Sequence, residues 1–208
     1  MTFRRSTPTP NSRPTPTRTP EAVPPTPVNT RSIVSASAAP TSRRVLGIDP
    51  GSVRTGFGVI EIDGAQTRYI ASGAIQAGRG AFASRLHTIF TGINALIAEH
   101  NPNESAVEEV FVNRNVQSAL KLGQARGAAI CACAGAGLVV HEYTPRAIKQ
   151  ALVGRGGADK DQVGYMVRAI LGLQGRLQED AADALAVALA HVQHDRFGQR
   201  VAAHRGSG

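Results

Sequence analysis

The chain has 208 residues, a formal net charge of +8 and 4% aromatic residues, which is length enough for one buried core. Residues 1–43 hold nine of the twelve prolines, six arginines against one glutamate and almost no large apolar side chain, so +5 of the charge sits in a segment too polar to fold. This segment is expected to be a disordered tail. Its prolines exclude the amphipathic helix of a transit peptide, and no later run has membrane-spanning length, so a soluble, cytoplasmic protein without a membrane partner is expected.

Residues 44–195 are expected to form one domain, with 196–208 a flexible C-terminal tail. The apolar run Val45-Leu46-Gly47-Ile48 ends on Asp49 and a Pro50-Gly51 turn, the pattern of a strand buried on both faces. Asp49 then has two readings: it closes the turn, or it is a ligand for a divalent cation, because a carboxylate beside a sheet core needs a partner. Residues 55–62 and 67–76 read as two more strands joined at Asp63-Gly64, a hairpin dipeptide. Phe82, Leu86, Ile89, Phe90, Ile93, Leu96 and Ile97 form the stripe of an amphipathic helix over 81–99. A short strand over 105–111, a helix over about 116–134 and a strand at 138–140 follow. Thr144-Pro145 caps a helix to about Leu152. A Gly-rich basic loop precedes helices at about 161–171 and 178–194. This order describes a mixed five-stranded α/β sheet with helices on both faces.

Glu108 and Glu109 interrupt an apolar strand, and alternation sends them to opposite sides of the sheet. Both sides are apolar, so periodicity does not choose between them. Asp180 and Asp183 lie three apart, on one face of the last helix. Asp180 suits a helix N-terminus in any case, whereas Asp183 interrupts an Ala and Leu surface and needs a partner. One strand acid with Asp49 and the helical pair would supply only oxygen ligands, suiting magnesium or manganese over zinc. His191 and His194 read as polar-face histidines, since such a site needs no nitrogen. Cys131 and Cys133 read as small buried residues of a reducing compartment.

Four stretches carry a resemblance: Gly47-Ile48-Asp49-Pro50-Gly51-Ser52, Glu108-Glu109-Val110-Phe111, the block from Ser118 to Gly127, and Asp180-Ala181-Ala182-Asp183-Ala184-Leu185-Ala186. In this order they resemble the bacterial RuvC Holliday junction resolvases, over about residues 44–194. The resemblance implies an RNase H-like fold and a homodimer acting in DNA recombination and repair. The implied reaction is magnesium-dependent nicking of two opposed strands of four-way junction DNA. It implies Asp49, Glu108, Asp180 and Asp183 as catalytic and metal-binding acids, holding two Mg2+ ions per subunit, with Mn2+ as a substitute. Asp180 stands where some relatives carry histidine.

By the same resemblance, Lys149 and Lys160 are catalytic lysines near the scissile phosphate, and Phe111 stacks on a base at the crossover. A branch-migration helicase complex, RuvA-RuvB, is the implied partner. Arg114, Lys121, Arg126 and Arg155 are candidate DNA backbone contacts by charge and location. Ala119, Gly123 and Gly127 recur every four residues on one side of their helix, which suits close approach of two helices in a dimer. An actin-like nucleotide-binding protein would need further Gly-rich phosphate and adenosine loops, which the sequence lacks. A YqgF-type RNA nuclease is disfavoured by the central block and the paired final aspartates.

Overall fold

A computed structural model describes residues 42–109 and 115–205. Most of the expected tail, and the expected DNA contacts Phe111 and Arg114, lie outside the described residues. The described chain runs β1 (Arg43–Asp49), β2 (Arg54–Asp63), β3 (Gln66–Gln76), α1 (Phe82–His100), β4 (Glu104–Glu108), α2 (Val116–Gly135), β5 (Val139–Tyr143), α3 (Pro145–Val153), α4 (Lys160–Leu171) and α5 (Glu179–Arg205). The five strands form one sheet in the order β3-β2-β1-β4-β5. The first three pair antiparallel, and β4 and β5 add in parallel to β1.

Alternation along the strands divides the core in two. Leu46, Ile48, Val59 and Val107 point to one face and pack against Ile89 and Ile93 of α1 and Ala125, Ala129 and Cys133 of α2. Val45, Ile60, Ile62 and Ala106 point to the other, where α5 lies with α3 and α4 outside it. Fully buried Leu46 and Ile48 each contribute roughly 1.5–3 kcal/mol by leaving water. Sandwiched between the sheet and two helices, α5 is buried nearly all round from Ala184 to Val192, which explains its Ala-rich, weakly amphipathic sequence.

Three glycines set how close α5 comes. A Cβ at Gly47 would overlap the Ala184 carbonyl oxygen and lie 2.8 Å from Ala188 Cβ. One at Gly56 would overlap the Asp180 carbonyl oxygen, and one at Gly58 would lie 2.7 Å from Leu185 Cδ2. The backbone of α5 therefore rests directly on β1 and β2.

Helix ends follow their local chemistry. Asn101 takes a left-handed conformation (φ 47°) before Pro102 and stops α1. Asn115 and Thr144 cap α2 and α3 through their side chains, and Asp159 with Gln162 forms a capping box that starts α4 at Lys160. Three expectations are corrected. The last helix ends at Arg205, not near His194, so residues 196–205 are helical where a flexible tail was expected; Gly198 is tolerated inside the helix and no proline interrupts it. Arg43, counted with the tail, opens β1 and pairs with Glu104 and Asp195. Cys133 is buried, but Cys131, two residues back and so on another side of α2, is exposed.

Candidate active site

The parallel register sets Ile48 beside Val107, so the next residues, Asp49 and Glu108, end adjacent strands side by side and on the same face. That face is the one covered by α5, as Val45, four residues back from Asp49, and Ala106, two back from Glu108, show. Glu109 points the other way. Because α5 touches the sheet at Gly47 and Gly56, Asp180 and Asp183 are carried over the ends of β1 and β2. The turn after Asp49 is closed by Thr55, whose buried hydroxyl donates to the Gly51 carbonyl at 2.9 Å. The Asp49 carboxyl group lies beside Glu108, close enough for each to alter the other's hold on a proton.

Asp49, Glu108, Lys149, Lys160 and Asp183 line one cavity of about 290 Å³, with Ile148, Val163 and Ala186 as its apolar wall. Lys160 Nζ lies 3.2 Å from Asp183 Oδ2 and 2.6 Å from Glu179 Oε1. Lys149 projects from α3 near Glu108. Asp180 is held by Arg54, at the start of β2, a pairing across 126 positions that sequence spacing does not suggest. Beside the cavity runs an open groove of about 790 Å³ that shares Lys160 and Asp183 and is lined by Arg54, Arg168 and Arg176. Those three arginines were missed in the sequence because only the packing of α5 against both β2 and α4 brings them together. Among the expected DNA contacts, Lys121 and Arg155 are exposed. Arg126 instead donates to the Glu108 carbonyl oxygen and pairs with Glu142, so it is engaged within the chain.

Crowding and burial raise the acids' affinity for protons. Burial, followed by the charges of Glu108 and Asp183, pushes Asp49 from its ordinary value near 3.8 up to about 8. Burial also raises Glu108 and Asp183, partly offset for Glu108 by the Asp49 carboxyl beside it and for Asp183 by Lys160. The folded, metal-free protein thus keeps protons that the unfolded chain releases near pH 4. Between about pH 4 and pH 8 the folded state binds more protons, so stability falls as pH rises and levels off above that window. Thermal melts in EDTA are expected to show the melting temperature dropping across this range, with Asp49→Asn raising it at pH 8; a flat profile would contradict this electrostatic picture.

A cluster short of positive charge and built from oxygen donors fits a hard divalent cation. The fold and this cluster define an RNase H-like nuclease. Residues 45–191 match the family model described as crossover junction endodeoxyribonuclease RuvC. A crossover junction endodeoxyribonuclease RuvC of Alkalilimnicola ehrlichii is 58% identical over 149 residues, covering 72% of this chain and 90% of that protein. One of Marinobacter nauticus is 54% identical over 158 residues, covering 76% and 90%. The solved structure of T. thermophilus RuvC in complex with Holliday junction substrate aligns with a TM-score of 0.71 at 37% identity, covering 75% of this chain and 96% of that one. The chain belongs to the RuvC family of crossover junction endodeoxyribonucleases. Its activity is that of a Holliday junction resolvase, hydrolysing DNA phosphodiester bonds, and the family implies a divalent metal; the actin-like and YqgF-like readings are not favoured. Among the described residues no helix is long and apolar enough to cross a membrane.

Proposed function

We propose that the chain resolves four-way junctions as a cytoplasmic homodimer, each subunit using Asp49, Glu108, Asp180 and Asp183 to hold two magnesium ions, which manganese can replace. The observation that carries this reading is the convergence of Asp49, Glu108 and Asp183 with Lys149 and Lys160 in one cavity. Bound there, the metal would activate a water and stabilise the leaving 3′ oxygen. The acids orient the cations, and their raised proton affinity means that metal binding must displace protons. Lys149 and Lys160 offset phosphate charge and align the strand, while Arg54, Arg168 and Arg176 offer a cationic path along the neighbouring groove. Phe111, Arg114, Lys121 and Arg155 remain proposed DNA contacts. A branch-migration helicase of the RuvA-RuvB kind would deliver the junction.

The decisive test uses a synthetic four-way junction and a linear duplex of the same sequence, with and without magnesium. Symmetric nicks in two opposed strands of the junction, only with metal, are expected. Equal cleavage of the duplex, or cleavage of RNA alone, would refute the assignment.

Two equivalent scissile strands call for two active sites related by a two-fold axis. On α2, Val116 and Leu120 are exposed apolar residues, and added Cβ atoms at Gly123 and Gly127 would meet nothing within 4 Å. Such a side suits a second copy of the same helix. Gly123→Leu is expected to give monomers by sedimentation and to lose paired nicking, and dimers mixed with one Asp49→Asn subunit should nick one strand and stop. Paired nicking by a demonstrably monomeric protein would refute this arrangement.

A further inference from the structure

At the opposite end of β4 from Glu108 lies a second cluster, which the catalytic reading does not use. His191, expected on a polar face, is completely buried, because α5 is covered on all sides at this level. Its ring lies 4.4 Å from that of His141 on β5, tilted by 34°. Both rings turn toward one oxygen of Glu104 on β4: Oε2 is 3.1 Å from His191 Nε2 and 3.8 Å from His141 Nε2. All three potential ligand atoms lie within 4.8 Å of one another. Despite that proximity, the buried Nε2 of His191 makes no well-formed hydrogen bond. A buried imidazole nitrogen without a partner is costly, and here it is aimed at a carboxylate oxygen and a second imidazole.

We propose that Glu104, His141 and His191 form a zinc site, separate from the catalytic acids, that ties β4, β5 and α5 together.

The surrounding groups are arranged as a metal would require. The Tyr143 hydroxyl lies 2.7 Å from His191 Nδ1. If Nδ1 carries the proton and donates it to Tyr143, the Nε2 lone pair faces Glu104, and a lone pair opposed to a carboxylate oxygen needs a cation between them. Arg43 donates to Glu104 Oε1 at 2.7 Å, fixing the carboxylate and leaving Oε2 to the histidines. Burial favours the neutral form of His191, the form that coordinates. Four ligands at about 2.0–2.2 Å in a tetrahedron stand about 3.3 Å apart, so the spacings of 3.1 and 3.8 Å need only small shifts. Asp195 Oδ2, 3.7 Å from His191 Nε2 and held by Arg43, or a water, completes the set. Two imidazoles with a carboxylate suit zinc and are a poor match for magnesium, which prefers oxygen.

The site does not belong to the cleavage chemistry. Glu104 precedes Glu108 by four strand residues, about 13 Å at ~3.3 Å per residue. His191 follows Asp183 by two turns of α5, about 12 Å. An ion there pins α5 to the sheet beyond the catalytic acids and so helps fix the register in which Asp180 and Asp183 are presented.

The full-length protein, stripped with EDTA, is titrated with Co2+ and followed by visible absorption. One equivalent is expected to give the intense bands of a four- or five-coordinate site with nitrogen ligands. Equimolar Zn2+ should displace them and excess Mg2+ should not. The bands should persist in Asp49→Asn and weaken in His141→Ala and Glu104→Gln, with Co2+ and Zn2+ affinity falling more than about tenfold. Zinc should raise the melting temperature of the wild type but not of His141→Ala, whose side chain is partly exposed and replaceable. Absence of intense bands in the wild type would overturn the proposal, as would bands lost in Asp49→Asn but retained in His141→Ala. The cluster would then be a network of protons and ion pairs only.

Discussion

Asp49→Asn is expected to abolish junction cleavage, lowering the rate by ~10³-fold or more, while junction binding is largely retained. The substitution keeps the side chain's shape but removes the charge at the point where β1, β4 and α5 converge. Affinity for the junction comes mainly from phosphate contacts to cations elsewhere on the surface, so binding and cleavage should separate. Glu108→Gln and Asp183→Asn should behave alike, since both share that cavity. Glu109→Gln is the informative control: its side chain leaves the strand on the other face, and near-normal cleavage is expected. Gel-shift and single-turnover cleavage measured on the same junction would decide the matter, and near wild-type nicking by Asp49→Asn in magnesium would refute the site.

The second large effect is expected away from any charge. Gly47→Val places a branched side chain where the Ala184 carbonyl and the Ala188 methyl already lie, and backbone cannot yield as a rotamer can. The loss should reach about 3 kcal/mol, the upper end of overpacking costs. For a domain of this size that lowers the melting temperature by about 6–12 °C. Gly56→Val should do the same against the Asp180 carbonyl, and any folded fraction should cleave poorly because α5 is displaced with its two acids. Gly164→Ala on α4, whose nearest neighbour would be Arg168 Nη1 at 3.7 Å, should instead be neutral or stabilising by about 0.5–1 kcal/mol. Equal stability of Gly47→Val and wild type would mean that α5 does not rest on β1.

The order of strands and helices was legible because each element carries its own period and punctuation: the unbroken run before Asp49, the Asp63-Gly64 turn, the stripe of α1 and the Thr144-Pro145 cap. What was not legible depended on contacts between elements. Alternation separates Glu108 from Glu109, yet both faces of β4 are apolar, and the choice is made by which face receives α5. The same burial hid His191: beside Asp195 and His194 it looks solvent-facing, whereas the covering sheet leaves it no exposure. The far end of α5 was hidden for the converse reason, since residues 196–205 have neither an apolar stripe to announce a helix nor a proline to end one. Arg54 gave no local sign of its tie to Asp180, because that pairing exists only once α5 lies across β2.

The pairing of Arg54 with Asp180 and of Lys160 with Asp183 and Glu179 has a consequence for the order of assembly on the junction. Before any divalent ion arrives, these two side chains act as understudies, neutralising acids that would otherwise repel one another. On the proposed reading, a divalent ion held by Asp180 and Asp183 would take over that role, leaving Arg54 free, and Lys160 with Glu179 alone, to meet an approaching phosphate at the rim of the groove. Metal loading and strand capture then reinforce each other, and by thermodynamic reciprocity the junction should tighten metal affinity by the same factor that metal tightens junction affinity. A resolvase wired in this way stays inert on metal alone and on duplex alone, and becomes armed only where both meet.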